Sequence, residues 1–197
     1  MGRHREFDVE AALDAALCVF WRKGYQGASY TDLTAATGVE RPALYAAFGN
    51  KEALFRQALA RYYKRYMDYV PRALQCPTSK EVAACILYNT ADLNTRFPDH
   101  PGCLHINGAV AVSDEAESVR LALIEARAAG EALLRERFER AKTEGDLPET
   151  AKPDVLAAFV MSVAHGMAVQ AKAGFSREKL EAIANLALDA WPVKDDG

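Results

Sequence analysis

Apolar positions in this chain recur with helical spacing, and almost nowhere in the two-residue alternation of strands. Val9, Leu13, Ala16 and Phe20 form a first stripe. Asp8 stands before it as an N-cap and Gly24 after it as a stop. Ser29 and Asp32 have the spacing of a capping box for a short second helix over about 30–37. Gly38 follows, where a tight turn needs positive φ. Pro42 falls in the first turn of a third helix over about 42–48. Leu33, Val39, Leu44 and Phe48 supply the contacts between these two short helices. Gly49 ends the third helix, and Asn50 caps a long fourth beginning at Lys51. Leu54, Phe55, Ala58, Tyr62 and Tyr66 share one side of it, and Pro71 marks its approximate end or a kink.

The second half continues in the same period. Ser79 is read as the cap of a helix carrying Val82, Ala83, Ile86, Leu87, Thr90 and Leu93. FPDHPG is a loop with two prolines, and CLHINGAVAV a short apolar helix. Ser113 or Asp114 caps a long amphipathic helix reaching about Glu144, where EGDLP breaks it. Pro153 opens the next helix, to about Lys172, and Gly174 ends it. Ser176 caps the last, which stops near Trp191 and Pro192. The pattern predicts an all-α chain of about nine helices. A three-helix helix-turn-helix domain over 6–66 precedes a larger helical domain over 71–192.

Composition agrees: alanine is abundant and β-branched runs are scarce. No apolar run is read as approaching the roughly 20 residues that span a bilayer. The charged N-terminus lacks the apolar stretch of a signal peptide. Cys18, Cys76, Cys85 and Cys103 are scattered, as free thiols in a reducing cytoplasm would be. Net charge is −3, yet residues 1–70 hold 10 Lys/Arg against 8 Asp/Glu. The excess of acids therefore lies in the body, which leaves room for a local basic footprint in the head. Arg3, His4 and Arg5 form a basic arm that could follow a phosphate backbone or simply solubilise the terminus. There is no GxSxG, HExxH, Gly-rich phosphate loop or paired-Cys motif. An enzyme is not expected, nor a cofactor.

Residues 29–48 meet the needs of a helix-turn-helix: a small first helix, a Gly in the turn and an exposed face on the second. Its second helix would enter a major groove, presenting Arg41, Pro42, Ala43, Tyr45 and Ala46. Arg41 can bond bidentately to guanine or clamp a phosphate. Tyr45 can donate its hydroxyl to a phosphate or pack on a thymine methyl. Ser29 and Thr31 could hold a phosphate at the first helix's positive end, and Lys51 could neutralise another. A generic helical hairpin with ordinary caps is the alternative. So, for the whole chain, are an all-α enzyme and a helical interaction adaptor.

The runs FWRKGYQGAS, TDLTAATGV and RPALYAAFGNKEALF resemble the DNA-binding domain of the tetracycline-repressor (TetR/AcrR) family over residues 5–55. Leu44, Tyr45, Phe48, Lys51 and Glu52 make its specific Leu-Tyr-x-x-Phe-x-x-Lys-Glu pattern, and Thr34 departs from the family's usual Ala. The resemblance implies a homodimeric repressor of double-stranded operator DNA whose C-terminal domain takes a small-molecule effector. It implies that Tyr45 and Lys51 contact the DNA backbone and that Arg41 to Ala46 belong to the recognition helix. PGCLHINGAV and EGDLPETAKPDVLAAFVMSVAHGMAVQAKAG resemble a subgroup of these regulators.

Within the expected effector domain, Tyr62, Tyr66, Leu87, Cys103, Phe159 and Val163 are the candidate pocket residues. Aromatic stripes at this spacing also serve simply as core. Phe159, Ile183, Leu186 and Trp191, beside many small residues on the last two helices, are the candidate dimer interface. Intradomain packing is the alternative. Cys103, His105 and His100 could take a soft cation. The i, i+2 spacing of the first two instead favours a buried Cys at a pocket with solvent-facing histidines, and no metal site is expected.

Overall fold

The computed structural model describes residues 7–108 and 116–193. Among these are ten α-helices. They are α1 (Val9–Gly27), α2 (Tyr30–Thr37), α3 (Arg41–Phe48), α4 (Lys51–Tyr66) and α5 (Tyr69–Ala73). Then come α6 (Ser79–Arg96), α7 (Leu104–Gly108), α8 (Glu117–Thr143), α9 (Pro153–Lys172) and α10 (Arg177–Asp189). The basic arm and the Ser113/Asp114 cap lie outside the described residues.

The head forms because local signals agree. Asp8 accepts from the Glu10 and Ala11 amides and starts α1. Ser29 and Asp32 close a reciprocal capping box on α2. Gly38 ends α2 in the left-handed region. Pro42 lies in the first turn of α3, and Asn50 caps α4 through the Ala53 amide. Leu33, Leu44, Phe48, Leu54 and Phe55 share one buried core with Leu17, Phe20 and Trp21 of α1.

Five sequence expectations need correction. The helix count rises from nine to ten because α4 ends at Met67 (φ −110°, ψ 18°) and the chain restarts as α5. Pro71 ends nothing: it lies in the first turn of α5, where no intrahelical amide bond is lost. Gly24 does not stop α1, which kinks there at φ 70° and continues to Gly27. The cap of α6 is Thr78, boxed with Glu81, whereas Ser79 is buried and its amide donates to Asp146 at 2.6 Å. Finally, α9 is long and apolar enough to cross a bilayer. In this fold α9 packs against α6, α8 and α10, burying Ala157, Val160, Ala164, Met167, Ala168 and Ala171.

Head and body are docked through the end of α1. The Trp21 indole N–H donates to the Gly102 carbonyl at 2.6 Å, and Asn107 Nδ2 donates to the Trp21 carbonyl at 3.1 Å. Lys172 Nζ on α9 donates to the Arg22 carbonyl at 2.7 Å. Gly24 is needed here twice over. Its φ is positive, and a Cβ would stand 2.8 Å from the Asn107 carbonyl oxygen. Gly24→Ala is therefore expected to lower the unfolding free energy by roughly 1–3 kcal/mol. Urea denaturation checks this, and an unchanged midpoint would contradict it.

Candidate nucleic-acid interface and internal cavity

On α3, Arg41, Pro42, Tyr45 and Ala46 are exposed, and Ala43 is half-buried. Arg41 is held by aromatic rings, with no ion pair to an acid among the described residues. Its guanidinium carbon lies 4.0 Å from the Tyr30 ring centroid, and Nη2 donates to the Tyr45 hydroxyl at 3.1 Å. The Tyr30 and Tyr45 rings stack at 5.3 Å, and the Tyr30 hydroxyl accepts from the Lys51 amide at 3.1 Å. Lys51 Nζ sits 4.7 Å over the Tyr25 ring, and burial lowers its pKa. The Arg41 bond holds the Tyr45 phenol below its usual pKa. Two cations thus sit on aromatic faces, and among the described residues neither makes an ion pair with a carboxylate, a state suited to meeting phosphate.

At α2 the arrangement is more committed. Ser29 Oγ donates to Asp32 Oδ2 at 2.8 Å and accepts from the Asp32 amide at 3.1 Å. Lys23 Nζ pairs with Asp32 at 2.6 Å, and this bond, with those from Ser29, holds the Asp32 carboxyl far below the usual carboxylate range. Ser29 is therefore occupied by its cap, and Thr31 is exposed beside it. Tyr30 is the residue that sequence reasoning missed. It opens α2 with no periodic signal to separate it from an ordinary first-turn residue.

The body holds a partly open cavity of about 670 Å³ between α4–α6 and α7–α9. Its wall is chiefly apolar, with Met67, Ile86, Leu93, Leu133 and Met161. Several polar groups on the wall pair with one another. Tyr62 donates to Cys103 Sγ at 3.3 Å, and the Tyr69 hydroxyl lies 3.4 Å from Thr90. His105 Nε2 lies 2.9 Å from the Leu123 carbonyl, which requires N–H there. Its Nδ1 then accepts from the Tyr63 hydroxyl at 2.7 Å. Burial first, then the nearby charge of Arg127, pushes the His105 pKa down to about 4. Burial likewise raises the Tyr63 phenol and the Cys103 thiol and lowers His165.

Of the expected pocket residues, Tyr62 and Cys103 lie on the wall, and Tyr66, Leu87, Phe159 and Val163 do not. Tyr66 turns to Trp21 and Phe97, with centroids 5.0 and 5.5 Å away. Leu87 is buried in the core. On α9 the cavity face is Met161, Ala164, His165 and Ala168. Phe159 and Val163 are off that stripe, because a helical face repeats at three and four residues. Of the expected interface residues, Phe159 and Leu186 are exposed and Ile183 is half-buried. Trp191 is corrected: it is buried in its own chain, donating to Ser79 Oγ at 3.1 Å against Phe138. The histidines expected to face solvent do not: His105 is buried and His100 stacks on Phe97 beside Trp21. These contacts turn Cys103, His105 and His100 to different partners. Among the described residues no His/Cys/Asp/Glu group of metal-site size occurs.

A helix-turn-helix head with two cations seated on tyrosines, docked onto a helical body with an apolar cavity, defines a DNA-binding regulator. Residues 12–58 match the profile described as bacterial regulatory proteins, tetR family, and residues 82–186 match a tetracyclin repressor-like C-terminal domain. The HTH-type transcriptional repressor ComR of Escherichia coli (strain K12) is 35% identical over 193 residues, covering 97% of this chain and 92% of ComR. BdcR, an HTH-type transcriptional repressor of the same strain, is 27% identical over 96% of this chain and 91% of its own length. A cysteine mutant of the TetR family regulator CifR, complexed with 26-bp double-strand operator DNA, superposes with a TM-score of 0.90. It is 41% identical, covering 97% of this chain and all of that one. This chain belongs to the tetR family of bacterial regulatory proteins. The resemblance read from the Leu-Tyr-x-x-Phe-x-x-Lys-Glu pattern is borne out, and the protein is a transcriptional regulator, not an enzyme.

The buried imidazole makes stability pH-dependent. The unfolded chain protonates His105 near pH 6.5, whereas the native chain resists protonation down to about 4. Protons therefore favour the unfolded state across that window, and the stability His105 contributes is lost as pH falls through it. His100 and His165 shift in the same direction, so the test compares slopes. His105→Gln is expected to flatten the fall of the urea midpoint between neutral pH and pH ~4.5 relative to the parent chain. Parallel slopes would contradict the buried neutral histidine.

Proposed function

We propose that this protein is a homodimeric repressor that binds a near-palindromic operator and is released by a small molecule filling its cavity. In this reading 6–66 is the DNA-reading domain and 71–192 the effector-binding and dimerisation domain. Arg41 reads a base edge or clamps a phosphate, with Pro42, Ala43, Tyr45 and Ala46 lining the same face. Tyr45 and Lys51 contact the phosphate backbone, and Ser29 and Thr31 approach it at the start of α2. Two heads would enter successive major grooves about 34–36 Å apart. The observation that carries the reading is the exposed Arg41–Tyr45 pair at the start of α3, its guanidinium stacked on Tyr30 and without an acidic partner among the described residues. The CifR relative's complex with operator DNA supports the partner. A cytoplasmic location follows from that partner.

For the dimer, α9 and α10 leave Val155, Phe159, Val169 and Leu186 exposed, with Leu186 at 73%. Apolar side chains this accessible on two adjacent long helices suit a four-helix contact between copies. Tyr62, Tyr63, Cys103 and His105 are the cavity residues proposed to feel the effector.

Two outcomes are expected. In a gel shift with DNA flanking the protein's own gene, Arg41→Ala should weaken binding about 10- to 100-fold, corresponding to ~1–3 kcal/mol. Binding should also weaken steeply with salt. An unchanged, salt-insensitive shift would defeat the reading. In sedimentation at micromolar concentration the parent chain should run as a dimer and Leu186→Glu should move toward monomer. A monomeric parent chain would defeat the interface.

A further inference from the structure

Several of the cavity's polar side chains are matched to one another, and one carries a buried nitrogen that finds no hydrogen-bond partner among the described residues. Tyr63 and His105 bond to each other, Tyr62 to Cys103 and Tyr69 to Thr90. Asp68, exposed at the cavity's edge, pairs with Arg72 at 2.5 Å. Arg127 of α8 also lines the cavity, and its Nη1 is fully buried with no hydrogen-bond partner among the described residues. A guanidinium nitrogen out of reach of water and unpaired is strongly unfavourable unless a partner arrives. Arg127 acts electrostatically on His105, His165 and Tyr63, and none of the three supplies a negative charge: burial favours the neutral imidazoles and the protonated phenol. Lys64 and Asp68, the other charged groups on the wall, are exposed to solvent.

Arg127 as a whole is half-buried, with small residues beside it. Ala126, Ala129 and Gly130 flank it on the same wall, and Gly130 faces the Met161 methyl, 3.7 Å from where a Cβ would stand. Space beside the guanidinium is therefore left by small side chains, and beyond it the wall is aliphatic and aromatic. One positive charge balances one negative charge. A dianionic phosphate would leave excess charge in an apolar chamber, whereas a carboxylate matches the guanidinium fork in charge and geometry.

We propose that the cavity selects an amphipathic organic acid, its carboxylate paired with Arg127 and its apolar body against the Tyr62, Tyr69, Leu93 and Met161 side of the wall. This deepens the effector reading and rests on it only for the step from binding to operator release. The volume, about 670 Å³, is within the usual range for a pocket that encloses a small organic molecule.

Calorimetric titration of the full-length protein tests this with three probes that share one body: phenylbutyrate, phenylbutanol and phenylbutylamine. The acid is expected to bind at least about tenfold more tightly than the alcohol, with the amine weakest. Arg127→Gln should bring acid and alcohol to equal affinity, and Arg127→Lys, which keeps the charge, should retain part of the preference. Equal binding of acid and alcohol by the parent protein overturns the proposal. So does an acid preference that survives in Arg127→Gln, or no binding of the acid at millimolar concentration. Should Arg127→Gln not fold, the parent comparison and Arg127→Lys still decide. Operator binding measured on the same samples separates the two readings. An intact operator shift without acid preference overturns this inference alone. Absence of any shift in the unliganded parent overturns the regulator reading and leaves the acid preference to be judged by calorimetry.

Discussion

The hydrogen bond from the Trp21 indole to the Gly102 carbonyl is the contact on which the two halves of this molecule depend. Trp21 belongs to the first helix of the reading head and is fully buried. Gly102 begins the turn into α7, and the next residue, Cys103, is on the cavity wall. Around the indole stand His100, Tyr62, Tyr66 and Phe97, with ring centroids 4.6, 4.7, 5.0 and 5.5 Å away. A buried donor and acceptor satisfied only by each other resist separation, since opening the joint exposes both and a large aromatic surface. Gly24 permits the close approach of Asn107 that completes the seam.

That joint gives cavity and DNA surface a shared frame. At one end of α4, Lys51 reaches over Tyr25 and its amide donates to Tyr30, the ring on which Arg41 rests. At the other end, Tyr62 and Tyr63 form part of the cavity wall. Tyr62 also touches the Trp21 ring edge to face. In the proposed switch, an occupant that favours one placement of α4 and α7 would act on the head through these contacts. Such an occupant acts only through its different affinity for the two arrangements. A packed aromatic seam suits this role because it shifts as a unit and deforms little.

Much of this was legible in the sequence, and the parts that were not share a cause. Asp8, Ser29 with Asp32, Asn50 and Ser176 cap by interactions within three residues, so their spacing sufficed. Helix α3 was legible because Pro42, Leu44 and Phe48 settle its start and its buried face. Gly24 was misread because its role is set by Asn107, far along the chain. The cavity face of α9 was misplaced because an apolar helix packed on several sides carries no single stripe from which to read its phase. Arg127 gave no signal at all: on a long, charge-rich helix, an arginine that turns one nitrogen into a cavity looks in sequence like any solvated one. Trp191 was assigned to a partner's surface because its bond to Ser79 spans most of the body.

The joint is tested most directly by urea unfolding followed at two probes together. Trp21 and Trp191 are the chain's two tryptophans, so a Trp191→Phe background leaves Trp21 as the one indole reporter. Its fluorescence and the far-ultraviolet ellipticity of the whole chain are then recorded along one titration. A head locked to the cavity wall predicts coincident midpoints and slopes for the two signals. Loss of the Trp21 environment at lower urea, with most of the helicity still present, would contradict it.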